Sequence, residues 1–213
     1  MGLFLATTAF RSNSVDETVK AISDYLASHD VKHQMKEEAW PLSEQTDAMV
    51  FAPQNSWVVV LWPNYFNIHD FPMVASIGSA RDWLISGVHV YDGDYWEHLA
   101  VRGPNRLHEF SSRPTYWSDV PEELERAANF DTDPARLGAA LEAPGNTLQP
   151  YLVDAATVAE TAKAHADDQF ELANIWVFTD FWRRMGITYP DPPDNAAAVI
   201  RLSKWFAKRL PSG

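Results

Sequence analysis

Cysteine is missing from all 213 residues, which removes disulfides, thiolate zinc sites, iron–sulfur clusters and a cysteine nucleophile together. Any metal would have to be held by histidine and carboxylate, and a reducing compartment, the cytoplasm, is the simplest home. Long apolar runs are missing too, since none approaches the roughly 18 residues that span a bilayer. Residues 1–10 lack a basic leader and are broken by Thr7 and Thr8. They read as a first strand rather than a signal, and Ala6 stands where a myristoylation motif needs a hydroxyl residue. No membrane anchor is expected. Nor does any Gly-rich loop open a helix or any serine sit in a Gly-x-Ser-x-Gly elbow, so nucleotide hydrolysis and serine-hydrolase chemistry lack a motif.

Positive charge is scarce over most of the chain. Residues 1–182 hold 11 Lys and Arg against 27 Asp and Glu, whereas residues 183–213 hold 6 against 2. Phosphate binding needs clustered cations, so the acidic body would repel a nucleic acid and attract a basic protein or a cationic ligand. What is plentiful is hydrophobic residue, 46% of the chain against 22% charged, ample for a sizeable core.

Residues 2–10 predict a strand, and Ser12-Asn13-Ser14 offers caps for a helix with Val15, Val19, Ile22 and Leu26 at helical spacing. A polar edge strand is expected within 31–39, and 47–52 with 57–62 form a hairpin turning at Pro53-Gln54-Asn55. Val58-Val59-Val60-Leu61 is apolar on both faces and suits a central position. A second helix runs through 71–85 with Pro72 in its first turn, and strands at 87–92, 95–101 and 106–110 follow as a meander. These elements imply an α+β domain over 1–117, an antiparallel sheet of ferredoxin-like or related type with helices on one face. Residues 118–213 read as mainly helical and packed on that domain. Their expected helices are an apolar one over 167–185, stopped by Gly186, and a basic amphipathic one over 196–210 beyond a Pro-rich connector at 189–194. That last helix would dock on the acidic body of the chain itself or of a dimer mate.

The densest collection of reactive groups is the stretch from His89 to His98. A two-residue turn at Asp92-Gly93 or Gly93-Asp94 would place His89, Tyr91, Trp96 and His98 on one face of the sheet and Val88, Val90, Tyr95, Leu99 and Val101 on the other. Two imidazoles with Asp94 at the tip would then suit acid–base work or a divalent metal, although no metal-ligand spacing such as His-Glu-x-x-His occurs. The same pattern equally describes a half-buried face whose histidines hydrogen-bond and stack. No cofactor and no resident metal are expected. Trp62, Tyr65, Tyr116 and Trp117 lie where strands meet loops and join Tyr91 and Trp96 as candidate contact residues. His69 and Asp70 precede the second helix, where Asp70 has the makings of its N-cap. Asp180, between apolar neighbours, calls for a structural ion pair with Arg183 or Arg184.

The run from Gly87 to Trp96, followed by Gly103 and by Phe110-Ser111-Ser112-Arg113-Pro114-Thr115-Tyr116, resembles a loosely defined group of uncharacterised bacterial proteins. In that group a hairpin with an Asp-x-Asp tip leads to a Phe-x-Ser-x-Pro-x-Tyr ending. The resemblance spans roughly residues 74–117 and implies turn chemistry that builds a fold; it implies no activity. The function expected from the residues is therefore an acidic interaction module, of toxin-neutralising or regulatory kind, that binds a basic protein partner. The alternative is an enzyme or small-molecule binder with His89 and His98 in a cleft between the sheet and the C-terminal helices.

Overall fold

The computed structural model describes residues 3–36, 41–43, 45–63, 71–128, 130, 132–141, 144–190 and 195–202. Their centre is one antiparallel sheet of eight strands. In chain order these are β1 (Leu5–Phe10), β2 (His33–Met35), β3 (Asp47–Val50), β4 (Val58–Leu61), β5 (Leu84–Tyr91), β6 (Tyr95–Arg102), β7 (Asn105–Ser111) and β8 (Ala198–Leu202). Across the sheet they lie in the order β2-β8-β3-β4-β1-β5-β6-β7. The expected α+β class and antiparallel sheet are present; the ferredoxin-like part of the expectation finds no support in this order.

Helix α1 (Val15–Ser28) starts where the sequence offers a cap, with the Ser14 hydroxyl accepting from the Glu17 amide. It buries Thr18, Ala21, Ile22, Tyr25 and Leu26, a single stripe at helical spacing. This stripe and Val74 and Ile77 of α2 (Phe71–Ser79) pack on the sheet face made by Phe10, Val50, Val58, Val60, Ile85, Leu99, Val101 and Ile200. β4 is central, as its apolar run requires, and is joined to β3 through a turn in which Asn55 and Ser56 both take positive φ, 50° and 66°. Two left-handed central residues give the hairpin twist that matches the strands.

The other face of the sheet, with Ala9, Val59, Val88, Val90, Trp96 and Phe110, is covered by the C-terminal part of the chain. That layer contains α3 (Pro121–Ala128), α4 (Pro134–Leu141), α5 (Gly145–Leu148), a 3-10 turn at Gln149–Tyr151 and α6 (Val177–Arg184). Leu137, Leu148, Tyr151, Phe178, Phe181 and Trp182 are its buried contacts. Three expectations need correction. The helix expected over 71–85 ends at Ser79, with β5 beginning at Leu84. The helix expected over 167–185 is realised only as α6, because residues 152–176 form turns pinned by side-chain bonds described below. The helix expected over 196–210 is replaced within 198–202 by β8, and residues 203–210 lie outside the described set. β8 fills the slot between β2 and β3, hydrogen-bonds on both sides and sets Arg201 directly opposite Asp47. Arg201 Nε and Nη2 each donate to a different Asp47 carboxylate oxygen at 2.8 Å. Burial of Asp47 pushes its carboxyl up, but the Arg201 bonds, the Ser43 amide and the Arg201 charge outweigh this and hold it below the usual range. Tertiary pairing overrides local helix propensity at such a site.

Candidate functional site

The β5–β6 hairpin carries most of the candidate residues, and its turn decides where they go. Asp92 and Gly93 take positive φ, 52° and 75°, and the Asp94 amide donates to the Tyr91 carbonyl at 2.9 Å. The strand register then pairs Tyr91 with Tyr95, not with Asp94, so the loop has three residues and Asp94 is an insertion. One inserted residue reverses the side-chain parity of everything after it. His89 sits opposite Glu97, Val90 opposite Trp96 and Val88 opposite His98. The expected common face is therefore wrong: His89 and Tyr91 lie on the face of α1 and α2, while Trp96 and His98 face the C-terminal layer.

That division removes the acid–base or metal pair from His89 and His98. His98 is fully enclosed. Its Nε2 is 2.8 Å from Ser86 Oγ, which accepts the Trp182 indole N–H at 3.0 Å, and its Nδ1 is 2.9 Å from His108 Nδ1. One proton must lie between those two nitrogens, so one imidazole donates and the other accepts. Phe181 meets the His98 ring edge-on at 4.9 Å. Burial, and then the neighbouring His108, hold the His98 pKa well below 6.5. Trp96 is likewise core, between Phe110 and Phe181 with centroids at 5.1 and 5.5 Å. Trp62 is 4% exposed and donates its indole N–H to Thr8 Oγ1 at 2.8 Å, so it offers no contact surface. Tyr65, His69 and Asp70 lie outside the described residues.

Tyr91, Tyr116, Trp117 and Asp94 do converge. Around the Tyr91 ring stand Phe4 at 5.2 Å, Trp117 at 5.3 Å, Tyr95 at 5.7 Å and Tyr116 at 6.2 Å. The Trp117 indole donates to Tyr95 Oη at 2.9 Å, and Tyr116 Oη donates to the Asp94 carboxylate at 2.7 Å. That bond to Asp94, then burial and the negative charges of Asp94 and Asp92, push the Tyr116 phenol up to about 12. Tyr91, Tyr116 and Trp117 are half-buried, whereas Asp92, Asp94, Asp119 and Glu122 are exposed. Gly93 is tied down by donating its amide to the Leu3 carbonyl at 2.8 Å. Half-buried rings thus stand beside exposed carboxylates on a hydrogen-bonded tip. Sequence reasoning missed Tyr95 and Phe4. The two-residue turn places Tyr95 on the opposite face, and Asp92-Gly93 suits that turn as well as the three-residue loop, so no residue at the tip signals the insertion.

In the C-terminal layer the ion pair expected for Asp180 is present and is part of a larger network. Arg183 Nη2 donates to Asp180 Oδ1 and to Asp168 Oδ1, both at 3.1 Å. Asp168, buried, also accepts from Tyr151 Oη at 2.7 Å, the His165 amide at 2.9 Å and Arg184 at 2.5 Å. Arg184 reaches Asp167 at 2.6 Å as well, and this bond, opposed by partial burial and reinforced by Arg183, holds the Asp167 carboxyl far below the usual range. Among the described residues no group of three or more His, Asp and Glu is placed to hold a metal ion, and no helix is long and apolar enough to cross a membrane. The chain matches no family model, no curated protein and no solved structure.

Proposed function

We propose that this chain is an interaction module that captures a basic protein partner, in the toxin-neutralising or regulatory manner, on the patch at the tip of the β5–β6 hairpin. The observation that carries the reading is the junction of Asp94 with Tyr116 inside the Tyr91–Tyr95–Trp117 ring cluster. A lysine or arginine side chain laid on such rings gains cation–π attraction, while Asp92 and the second Asp94 oxygen offer acceptors. Half-buried aromatic rings suit the centre of an interface because they lose little side-chain entropy on binding. The formal charge of −12 supports electrostatic steering of a basic partner towards the patch. A cysteine-free chain also fits a reducing compartment such as the cytoplasm.

The test is a comparative pull-down from the native cell with wild-type protein and with the combined variant Asp92→Asn, Asp94→Asn, Trp117→Ala. A basic protein retained by the wild type and lost with the variant is the expected result. Recovery of no basic protein, or equal recovery by both baits, overturns the reading.

A further inference from the structure

Away from the hairpin, the C-terminal layer holds a cleft of about 650 Å³, within the roughly 300–1,000 Å³ of small-ligand sites. One face of α6 contributes Asp180 and Arg183, with Trp176 capping its start; the preceding loop adds Asp167 and Phe170, and the segment leaving the helix adds Tyr189. The three rings are half-buried, and Trp176 and Tyr189 meet at 69° with centroids 5.9 Å apart, so their faces look in different directions.

The polar groups of the cleft are fixed in place. Asp180 Oδ2 accepts the Phe170 amide at 2.8 Å, which sets that ring in the wall, and Arg183 Nη1 reaches Asp167 at 3.3 Å. Three carboxylates, Asp167, Asp168 and Asp180, face the Arg183 and Arg184 guanidiniums and the Lys163 ammonium, which donates to the Asp168 carbonyl at 2.9 Å, and Asp167 is the exposed carboxylate of the set. Burying such a network is costly and is weak evidence of a gain in stability. Residues 152–176 contain no helix or strand, and ordered loops of that length in compact domains are usually functional. Both facts are explained if the network exists to shape the cleft.

We propose that this cleft binds an organic cation, an alkylated ammonium or a guanidinium carried on an apolar body. Ring faces attract such a cation through their quadrupoles, the exposed Asp167 carboxylate in the lining adds to that attraction, and Ile187 with the rings accepts its hydrocarbon. The carrier is either a free small molecule or a lysine or arginine side chain of a partner, and the group recognised is the same.

The test follows the indole N–H signal of Trp176 by two-dimensional NMR, identified as the signal lost in Trp176→Phe. Tetramethylammonium chloride and N-acetylarginine amide are titrated in, with sodium chloride as control. The expected result is a saturable shift of that signal, with affinity weakened at least about three-fold in Asp167→Asn. Asp167 is 64% exposed at its side chain, and Tyr189→Leu is a second variant that removes a ring without touching the ion network; the same weakening is expected of it. A signal that moves no more than in sodium chloride overturns the proposal, as does a shift that both variants leave unchanged. Decalysine then separates the carriers: binding about ten-fold or more tighter than the monomeric cations supports a side chain on a partner, and equal binding supports a free small molecule.

Discussion

Acidification should loosen this protein through one side chain. His98 is buried on every side, and its imidazole is held neutral by desolvation and then by His108. In the unfolded chain the same group has a pKa near 6.5 and takes up a proton as the pH falls below it. The folded pKa is the depressed one, so the unfolded state binds more protons and stability declines on acidification, from about pH 6.5 down to the folded value. Each pH unit in that window costs about 1.4 kcal/mol for one proton. Between pH 7 and pH 5 the loss from His98 alone reaches about 2 kcal/mol while the folded imidazole stays neutral. Urea unfolding at intervals over that range, on wild type and His98→Leu, measures it. The variant is less stable throughout because Ser86 and His108 each lose one hydrogen-bond partner, but its stability should fall by about 2 kcal/mol less than that of wild type between the two pH values. Carboxylates that begin to titrate near pH 5 act on both proteins and cancel in the difference. Curves that run parallel would refute the reasoning.

Other outcomes follow from the same geometry. Asp168→Ala leaves Arg184 and Tyr151 facing an empty buried position and should cost about 3 kcal/mol or more, read from the urea midpoint; a cost under about 1 kcal/mol would show that residues 152–176 are held by other contacts. Deleting Asp94 closes the hairpin as a two-residue turn and drives Trp96 and His98 away from the C-terminal layer, so a loss of at least about 3 kcal/mol is expected; unchanged stability would mean the insertion does not set the parity. In Asp94→Ala the Tyr116 phenol should titrate nearer 10.0 than about 12, followed by its NMR ring signals at alkaline pH; an unmoved titration would remove Asp94 as the cause.

Elements whose side chains act locally were legible in the sequence. The Ser14 cap, the α1 stripe and the doubly buried β4 depend on neighbours within a few residues, and periodicity captures them. β8 was not legible, because its short run takes a strand form only when β2 and β3 supply hydrogen bonds and Asp47 receives Arg201. The candidate site divided in the same way. Tyr91, Tyr116, Trp117 and Asp94 were named from composition around a turn and do meet, whereas the phasing of Trp96 and His98 hung on whether Asp94 belonged to strand or loop. Hairpin residues with positive φ, Asp92 and Gly93, fit a two-residue turn and its bulged relative equally well. The ion network around Asp168 draws on Tyr151, His165, Arg183 and Arg184, separated by up to 33 residues in the chain, and only its Asp180–Arg183 contact lies within one helix.

The most direct measurement for the proposed recognition patch is the association rate of the basic partner expected from the pull-down as a function of ionic strength, for wild type and for Asp92→Asn, Asp94→Asn, Trp117→Ala. The wild-type rate should fall at least about ten-fold between low and high salt, and the variant should associate more slowly and lose much of that dependence. A rate indifferent to salt, or one the three substitutions leave untouched, would contradict a patch built from Asp92, Asp94 and the Tyr91 ring cluster.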